Sequence, residues 1–403
     1  MNTCNLVVLT SLLIFIFCLD VQSQVSPHKF GKGIHVYGQD STFHLRFGFR
    51  FQNLFTTEFT SVDGSLEDAS ANFLVRRARL KFDGFAFSPK LKYKMELGLS
   101  NRDIGGGSGP ETNRASRLIL DAFITWNFYK NFSLKVGQGK LPGNRERVIS
   151  SGNLQFVDRS RVNSRFNIDR DYGIQILHHF KPGKGDFLIK EVFSLSQGEG
   201  RNLTSGNIGG LDYTFRVELL PFGTFQSSGD YIGSAIKYEI KPKLSIGVTY
   251  DINDGAVKER GQLGSFIQDA SGSYIGKTLQ TVFVDFMYKH KNFSMMGEFA
   301  HKKTSDDDPL VFDDASTLIG TFFTGSGYVL QAGYMMPKNV ELAFRYTTIT
   351  PDETVSDDEK EYTLGLSKYI VGHKLKVQSD LTYRDREISN DKLFWRIQMD
   401  IHF

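Results

Sequence analysis

The sequence predicts an all-β fold: a transmembrane, antiparallel, up-and-down β-barrel of about sixteen strands, with short periplasmic turns and long extracellular loops. First, its 403 residues include 39 Gly, 35 Phe and 16 Tyr, a composition typical of many short strands and turns. Second, polar and apolar residues alternate over stretches of about nine to eleven residues, the length of a tilted membrane strand. Third, short turns interleave with long polar stretches, which is the connection pattern of an outer-membrane barrel.

Composition also excludes two other classes of protein. Hydrophobic residues make up 40% of the chain and charged residues 23%. This is too apolar and too aromatic for a disordered chain, and too polar for a bundle of transmembrane helices.

The amino-terminal segment has the pattern of a secretory signal peptide. An apolar run covers residues 6–19, and the small-residue pattern at 21–23 places the cleavage before Gln24. No Lys or Arg lies in residues 1–5, which departs from the usual pattern, so a short membrane anchor is the alternative. Both cysteines, Cys4 and Cys18, lie in this segment, so the mature chain would have no disulfide and no cysteine nucleophile. We predict a signal peptide at 1–23, a periplasmic lead at 24–42 and the barrel at 43–403.

Alternation is clearest at residues 43–52. Leu45, Phe47 and Phe49 lie on one face and Arg46 and Arg50 on the other, which a helix cannot arrange. Segments 90–100 and 392–403 repeat the pattern. Because soluble sheets alternate too, the connections decide for a membrane barrel. The predicted strands are 43–55, 72–86, 90–101, 117–128, 131–138, 171–180, 186–197, 211–220, 243–251, 279–290, 292–303, 326–335, 338–348, 360–369, 372–386 and 392–403.

Three local features complete the predicted barrel. Residues 230–240 are assigned to a long periplasmic turn rather than to a seventeenth strand, because single-chain bacterial barrels have an even strand count. Arg76 breaks the alternation of its strand, and we expect it to reach the membrane interface. Aromatic residues near strand ends suit the girdles between lipid and water. They are Phe85, Phe87, Trp126, Phe128, Tyr129, Tyr250, Tyr346, Tyr369 and Phe403.

Three segments and the terminal Phe403 carry a family resemblance. The segments are residues 75–84 (VRRARLKFDG), 134–142 (LKVGQGKLP) and 215–223 (FRVELLPFG). With them, the chain resembles the phosphate-selective porins O and P, especially their Bacteroidetes members. The resemblance implies a homotrimeric porin whose third loop, here 139–170, folds inward as a constriction. It implies an outer-membrane location, with membrane lipid and lipopolysaccharide as neighbours, and leaves the solute open.

Basic residues are concentrated in the first part of the mature chain. Residues 24–170 contain 23 Lys and Arg against 13 Asp and Glu, whereas 171–403 contain 25 against 31. Eight strand bases lie opposite apolar neighbours and, unlike Arg76, are expected to face water, because a lipid-facing Arg or Lys at the membrane midplane costs about 2–4 kcal/mol. The predicted pore-lining, anion-binding residues are Arg46, Arg50, Arg77, Arg79, Lys81, Lys92, Lys94 and Lys135 on strands, and Lys140, Arg145 and Arg147 in the third loop.

These bases favour passive diffusion of small anionic solutes, with phosphate as one candidate because Arg forks match its oxygens. The opposing interpretation is that Asp83, Glu96 and Asp121 pair with the bases into a neutral network. An outer-membrane hydrolase and a nonconducting adhesion barrel are the alternative functions. We expect no enzyme activity and no cofactor, since the nine His show no metal-ligand spacing. We also expect no nucleic acid partner. The acidic stretches at 306–308 and 357–359 are read as solvated loops rather than calcium sites.

Overall fold

A computed structural model describes residues 24–25, 29–62, 65–105, 109–313, 315–352 and 354–403. The predicted signal peptide at 1–23 lies outside these residues. No helix among the described residues is long and apolar enough to span a membrane.

Twenty strands occur in the described residues, and sixteen of them form the barrel wall. The wall consists of β3 to β13 and β16 to β20. The strands are β1 (Gln24–Val25), β2 (Ile34–Tyr37), β3 (Phe43–Val62), β4 (Ser65–Ala86), β5 (Ser88–Gly98), β6 (Ile119–Tyr129), β7 (Phe132–Lys140), β8 (Arg170–Phe180), β9 (Leu188–Ser196), β10 (Asp212–Leu220), β11 (Glu239–Ala256), β12 (Lys277–Lys291), β13 (Phe293–Thr304), β14 (Leu310–Phe312), β15 (Leu318–Thr321), β16 (Gly325–Met336), β17 (Val340–Pro351), β18 (Glu359–Tyr369), β19 (Leu375–Arg386) and β20 (Asp391–His402).

The last strand closes the barrel on the first wall strand. β20 pairs antiparallel with β3 from Asp391↔Ser61 to His402↔Arg50, and the other wall strands pair antiparallel with their neighbours in chain order. Closure gives each of the sixteen wall strands a partner on both edges, as a membrane barrel requires. This confirms the predicted sixteen-stranded antiparallel barrel. On the same edge of β3, β2 pairs with residues 44–47, so the lead segment extends the wall at the periplasmic end.

Alternation sorts each strand between an apolar outside and a polar inside. On β20, Trp395 and Met399 are exposed, whereas Gln398 and Asp400 are buried. Apolar side chains therefore face lipid, and the buried polar ones face the lumen.

Connections at the two ends of the barrel differ in length. At the periplasmic end, a single residue, Phe87, joins β4 to β5, and Asn292 alone joins β12 to β13. The extracellular connections include 141–169, 197–211, 257–276 and 305–324. Short helices α1 (Asn101–Ile104), α2 (Arg145–Val148) and α3 (Arg161–Phe166) all lie in extracellular loops.

The connection between β10 and β11 is the long exception at the periplasmic end. It covers residues 221–238, contains one 3-10 turn, Gln226–Tyr231, and includes no strand. The expected long turn is therefore present in place of a seventeenth strand, although residues 239–240 already belong to β11.

Arg76 does not face the membrane interface as the sequence suggested. Gln52 pairs with Arg77 and Asn53 with Val75, so Arg76 is an extra residue in β4 with no partner on β3. Such a β-bulge redirects a side chain. It turns Arg76 inward beside Arg77, with its Nη2 2.8 Å from Asp158 Oδ1.

Tyr369 also departs from the expected aromatic girdle. It ends β18 on the inward face, is 1% exposed and donates its hydroxyl to Glu341 Oε2 at 2.7 Å. By contrast, Trp126, Phe128 and Tyr129 are exposed on the outside, as expected.

The hydrophobic core lies inside the barrel, not between two sheets. Residues 141–169, called the inner loop from here on, supply Val162 and Phe166, which pack against Phe283 and Ile349 of the wall. A second cluster joins Ile149 and Leu154 of the inner loop to Met287, Met296 and other wall residues. The inner loop is therefore packed against the wall like a core element.

Candidate functional site

Arg145 fixes the inner loop to the wall formed by β10 to β19. Its side chain is 0% exposed. Nε donates to Asp285 Oδ1 at 2.7 Å, and Nη2 donates to Ser245 Oγ at 2.9 Å and lies 3.6 Å from Glu218 Oε1. Arg216 shares both carboxylates. Two buried guanidinium groups thus neutralise two buried carboxylates, a condition for keeping such charges away from water.

Gln155 attaches the middle of the inner loop to the same wall. Its Nε2 donates to Glu341 Oε1 at 2.8 Å and to Ser294 Oγ at 3.1 Å. A Cβ at Gly333 would lie only 2.1 Å from that Nε2. Similarly, a Cβ at Gly365 would lie 2.9 Å from the ring of Phe156. Glycine at these two inward positions therefore lets the inner loop approach β16 and β18.

The inner loop touches the opposite wall at fewer points. Asp158 accepts from Arg76 at 2.8 Å, lies 3.4 Å from Arg77 Nη2 and lies 3.8 Å from Arg396. Ser151 Oγ accepts from Arg50 at 3.0 Å. These contacts hold the inner loop in place while leaving space along β3 to β8.

That space contains a central cavity of about 210 Å³. Among the described residues, its lining includes seven cationic side chains and two carboxylates. The cations are Arg79, Lys94, Lys135, Lys140, Arg147, Arg159 and Arg170, and the carboxylates are Glu96 and Asp121.

Four of the seven cations form ion pairs. Arg79 contacts Asp103 at 2.6 Å and Glu96 at 3.0 Å, and Arg170 contacts Asp121 at 2.6 Å. Lys94 contacts Glu96 and Asp121, and Arg147 contacts Asp169. The network of pairs that the sequence left open as the opposing interpretation is therefore partly present.

The other three cations make no ion pair with the described residues. Lys140 Nζ donates to three carbonyl oxygens at the end of α2, the closest being that of Arg147 at 2.7 Å. Arg159 donates to the carbonyls of residues 146 and 149. Lys135 Nζ contacts the Lys140 carbonyl and the Gln175 amide oxygen. Neutral partners do not cancel charge, so the cavity keeps a positive excess.

Burial and, after it, the crowding of these cations shift the pKa values of the inner-loop guanidinium groups. Burial lowers the pKa of the Arg159 guanidinium to about 10, opposed by Glu146 and assisted by Arg79. Burial, followed by the repulsion of Arg159 and Arg170, holds the pKa of Arg147 well below its usual range. An anion in the cavity would relieve this repulsion.

A larger outer cavity of about 960 Å³ adjoins the central cavity through Arg79, Arg147, Arg159 and Arg170, which line both. Its described lining has thirteen Arg and one Lys against four carboxylates. On the periplasmic side, a cavity of about 280 Å³ adjoins the central one through Arg79, Lys94 and Glu96. The three cavities form one basic path along β3 to β8.

The predicted site residues are distributed along this path, with two exceptions. Arg46, Arg50 and Lys81 line the periplasmic cavity. Arg77 lines the outer one. Arg79, Lys94, Lys135, Lys140 and Arg147 line the central one.

The two exceptions are Arg145 and Lys92, which the structure places outside the three cavities. Arg145 lines none of these three cavities because its guanidinium is enclosed by Asp285, Glu218 and Ser245. Lys92 is exposed near the periplasmic turn and also lines none of them.

Sequence reasoning left several path-lining bases out of the site. The sequence places Arg159 and Arg170 in the third loop, which is expected to fold inward. It also indicates an inward position for Arg396, which alternates with the apolar residues of β20. Arg201 and Arg260 lie in loops of the acidic part of the chain, where no strand pattern indicates a direction. Their position on the outer cavity depends on how those loops fold over the barrel mouth.

A family model described as phosphate-selective porin O and P matches residues 46–393. The chain belongs to this porin family. The match confirms the resemblance carried by the three sequence segments. Together with the barrel, it identifies the chain as a multi-pass outer-membrane protein.

Relatives and solved porins agree with this assignment. An uncharacterized protein of Aquifex aeolicus (strain VF5) is 24% identical over 370 residues, covering 83% of this porin and 81% of the relative. The anion-selective porin from Comamonas acidovorans has a TM-score of 0.52 at 11% identity, over 89% of this chain and 99% of that one. In vitro folded OmpT of Vibrio cholerae, in its trimer form, has a TM-score of 0.51 at 10% identity, over 89% and 99%. At these identities the structures show the fold alone.

Proposed function

We propose that this porin is a passive channel with a preference for small hydrophilic anions. The observation that carries the proposal is the charge of the central cavity: seven cations against two carboxylates among its described residues, with Lys135, Lys140 and Arg159 unpaired by carboxylates. The channel would perform no covalent chemistry and hold no cofactor.

The three cavities of the path would attract an anion, bind it weakly and release it in turn. The Arg-rich outer cavity attracts anions and raises their local concentration. In the central cavity, guanidinium and ammonium groups replace part of the anion's hydration shell. Because several similar cations follow one another from Arg159 to Lys135, an anion can pass between weak contacts without being trapped. Phosphate is one candidate, since Arg forks bind its oxygens in pairs.

The surroundings of the channel are proposed on separate grounds. The OmpT structure in its trimer form supports a homotrimer for this barrel. The apolar outward faces, with exposed Trp126 and Tyr129 near the periplasmic turns, support contact with outer-membrane lipid and, on the outer leaflet, lipopolysaccharide.

The first test is the reversal potential of single channels in a planar bilayer under a KCl gradient. We expect a reversal potential directed toward chloride. A value directed toward potassium would mean that lumen carboxylates dominate, and the absence of conductance would favour a closed structural barrel. Adding phosphate to an anion-preferring channel then measures whether phosphate reduces the chloride current.

Variants locate the selectivity. Lys135→Glu combined with Arg159→Gln should lower the chloride preference several-fold, because it removes two unpaired cations and adds a carboxylate. The charge-matched control is Lys92→Glu combined with Lys90→Gln, since both lysines are exposed and lie outside the three cavities. Equal shifts in both variants would assign selectivity to overall charge, not to the central cavity.

A further inference from the structure

Several inward positions at the periplasmic end of β8 and β9 are apolar. Leu177 of β8 and Leu188 and Val192 of β9 line a cavity of about 650 Å³. Leu141 and Val148 of the inner loop and Phe225 of the 221–238 connection also line it. These six residues define the side chamber.

The side chamber connects with the central cavity and with the periplasmic end. Lys135, Lys140 and Val148 line both the side chamber and the central cavity. At the other end, Thr224 and Ser228 line the side chamber and are exposed. The side chamber therefore lies on a second route between the central cavity and the periplasm.

Charge in the side chamber is unevenly balanced. Away from the central cavity, Lys190 contacts Asp230 at 2.6 Å and Arg216 contacts Glu218 at 2.7 Å, so those cations are matched by carboxylates. The third carboxylate there, Glu191, lies 2.9 Å from the ring of His178. At the end shared with the central cavity, Lys135 and Lys140 have only carbonyl and amide oxygen partners among the described residues. The uncompensated positive charge lies at one end of an apolar space.

We infer that the side chamber binds small amphipathic organic anions, with the anionic group at Lys135 and Lys140 and the hydrocarbon part against Leu177, Leu188 and Val192. The inference rests on the proposed anion channel and narrows its substrate class. An apolar wall gives a fully hydrated inorganic anion no advantage. It favours an anion with a hydrocarbon tail, whose burial removes apolar surface from water.

The test compares hexanesulfonate with methanesulfonate as blockers of single-channel KCl current. Both stay ionised, so neither crosses the bilayer as a neutral acid, and they differ only in chain length. We expect hexanesulfonate, added from the periplasmic side, to block for at least about tenfold longer, the effect of burying two of its five additional CH₂ groups. Equal block times would overturn the inference.

Variants separate the side chamber from the rest of the path. Leu177→Asn with Val192→Asn should shorten hexanesulfonate blocks to the methanesulfonate value while leaving the KCl reversal potential unchanged, because neither substitution changes the charge of the path. Leu263→Asn is the matched control, because Leu263 lines the outer cavity. Equal shortening by the control would place the site elsewhere and overturn the inference.

The outcomes distinguish this inference from the proposed function. If the reversal potential shows anion preference but hexanesulfonate and methanesulfonate block for equal times, the inference alone is overturned. A closed or cation-directed channel overturns the proposed function and the inference with it.

Discussion

The two sides of the barrel wall differ in charge and in how closely the inner loop packs against them. The wall from β10 to β19 presents buried carboxylates, including Asp285, Glu298 and Glu341, and the inner loop covers them with Arg145, Asn144 and Gln155. The wall from β3 to β8 presents Arg and Lys, and the inner loop touches it at few points. One side is therefore covered and neutralised, and the other is open and basic.

This difference explains how a chain of nearly balanced charge can have a basic path. Residues 24–170 carry an excess of bases, and residues 171–403 an excess of acids. The inner loop belongs to the basic part, yet it lies against the acidic wall, where Arg145 and Arg161 pair with Asp285 and Glu359. The acids are thus compensated from within the barrel, so the net charge of the chain is a poor guide to the charge of the path.

Removing Arg145 should have the largest effect on the covered wall. Arg145→Met leaves Asp285 and Glu218 with one guanidinium fewer, and breaking a buried ion pair costs about 3–5 kcal/mol. We expect a lower unfolding temperature in detergent, measured by the heat-dependent mobility shift on a gel. Arg46→Met is the control, because the Arg46–Asp83 pair is partly exposed and such pairs contribute about 0–1 kcal/mol. Equal destabilisation would contradict the difference between the walls.

A single added methyl group tests the fit of the inner loop. Gly333 lies on the covered wall, and Gly333→Ala places a Cβ against Gln155 of the inner loop. Gly48 lies on the open wall, where a Cβ meets only the Phe403 carbonyl at 3.4 Å. Overpacking costs about 1–3 kcal/mol, so Gly333→Ala should lower the unfolding temperature and alter single-channel conductance. Gly48→Ala should change neither. If the two variants behave alike, the inner loop does not pack against β16 in the membrane.

Ionic strength should affect the open wall selectively. Raising KCl from about 0.1 to 1 M shortens the screening length from about 10 to 3 Å. The chloride preference, measured at a fixed concentration ratio, should fall because the unpaired cations act through solvent. The unfolding temperature should change little, since the buried pairs of the covered wall are weakly screened. A preference independent of salt would point to size selection instead of charge.

The smallest expected effect is that of pH on the outer cavity. Burial lowers the pKa of Lys258 to about 8, so this cation loses its charge between pH 7 and 9. Burial raises the pKa of nearby Glu199 to about 7, so this carboxyl group gains its negative charge between about pH 6 and 8. Both changes reduce anion preference as pH rises from 6 to 9. Lys258→Met should reduce the slope of reversal potential against pH, and an unchanged slope would exclude Lys258.

The sequence predicts the wall better than the path. Alternation assigns Arg46, Arg50 and Arg79 to the inside because strand geometry fixes side-chain direction locally. It fails at Arg76, where one inserted residue shifts the phase. At Tyr369 alternation holds, because the phase of β18 points this residue inward, and the expectation of a girdle position was wrong. Alternation cannot predict the position of Arg145. The partner of Arg145, Asp285, lies 140 residues away, and no local pattern tells how far a loop reaches across a barrel.

The contact of Asp158 with both ends of the barrel wall has a consequence for assembly. Asp158 contacts Arg76 near the start of the chain's wall strands and Arg396 on the last strand, β20. This set of contacts is complete only when β20 has paired with β3. The bore of the channel therefore takes its final shape at the moment of closure, so an unclosed barrel would lack a finished filter.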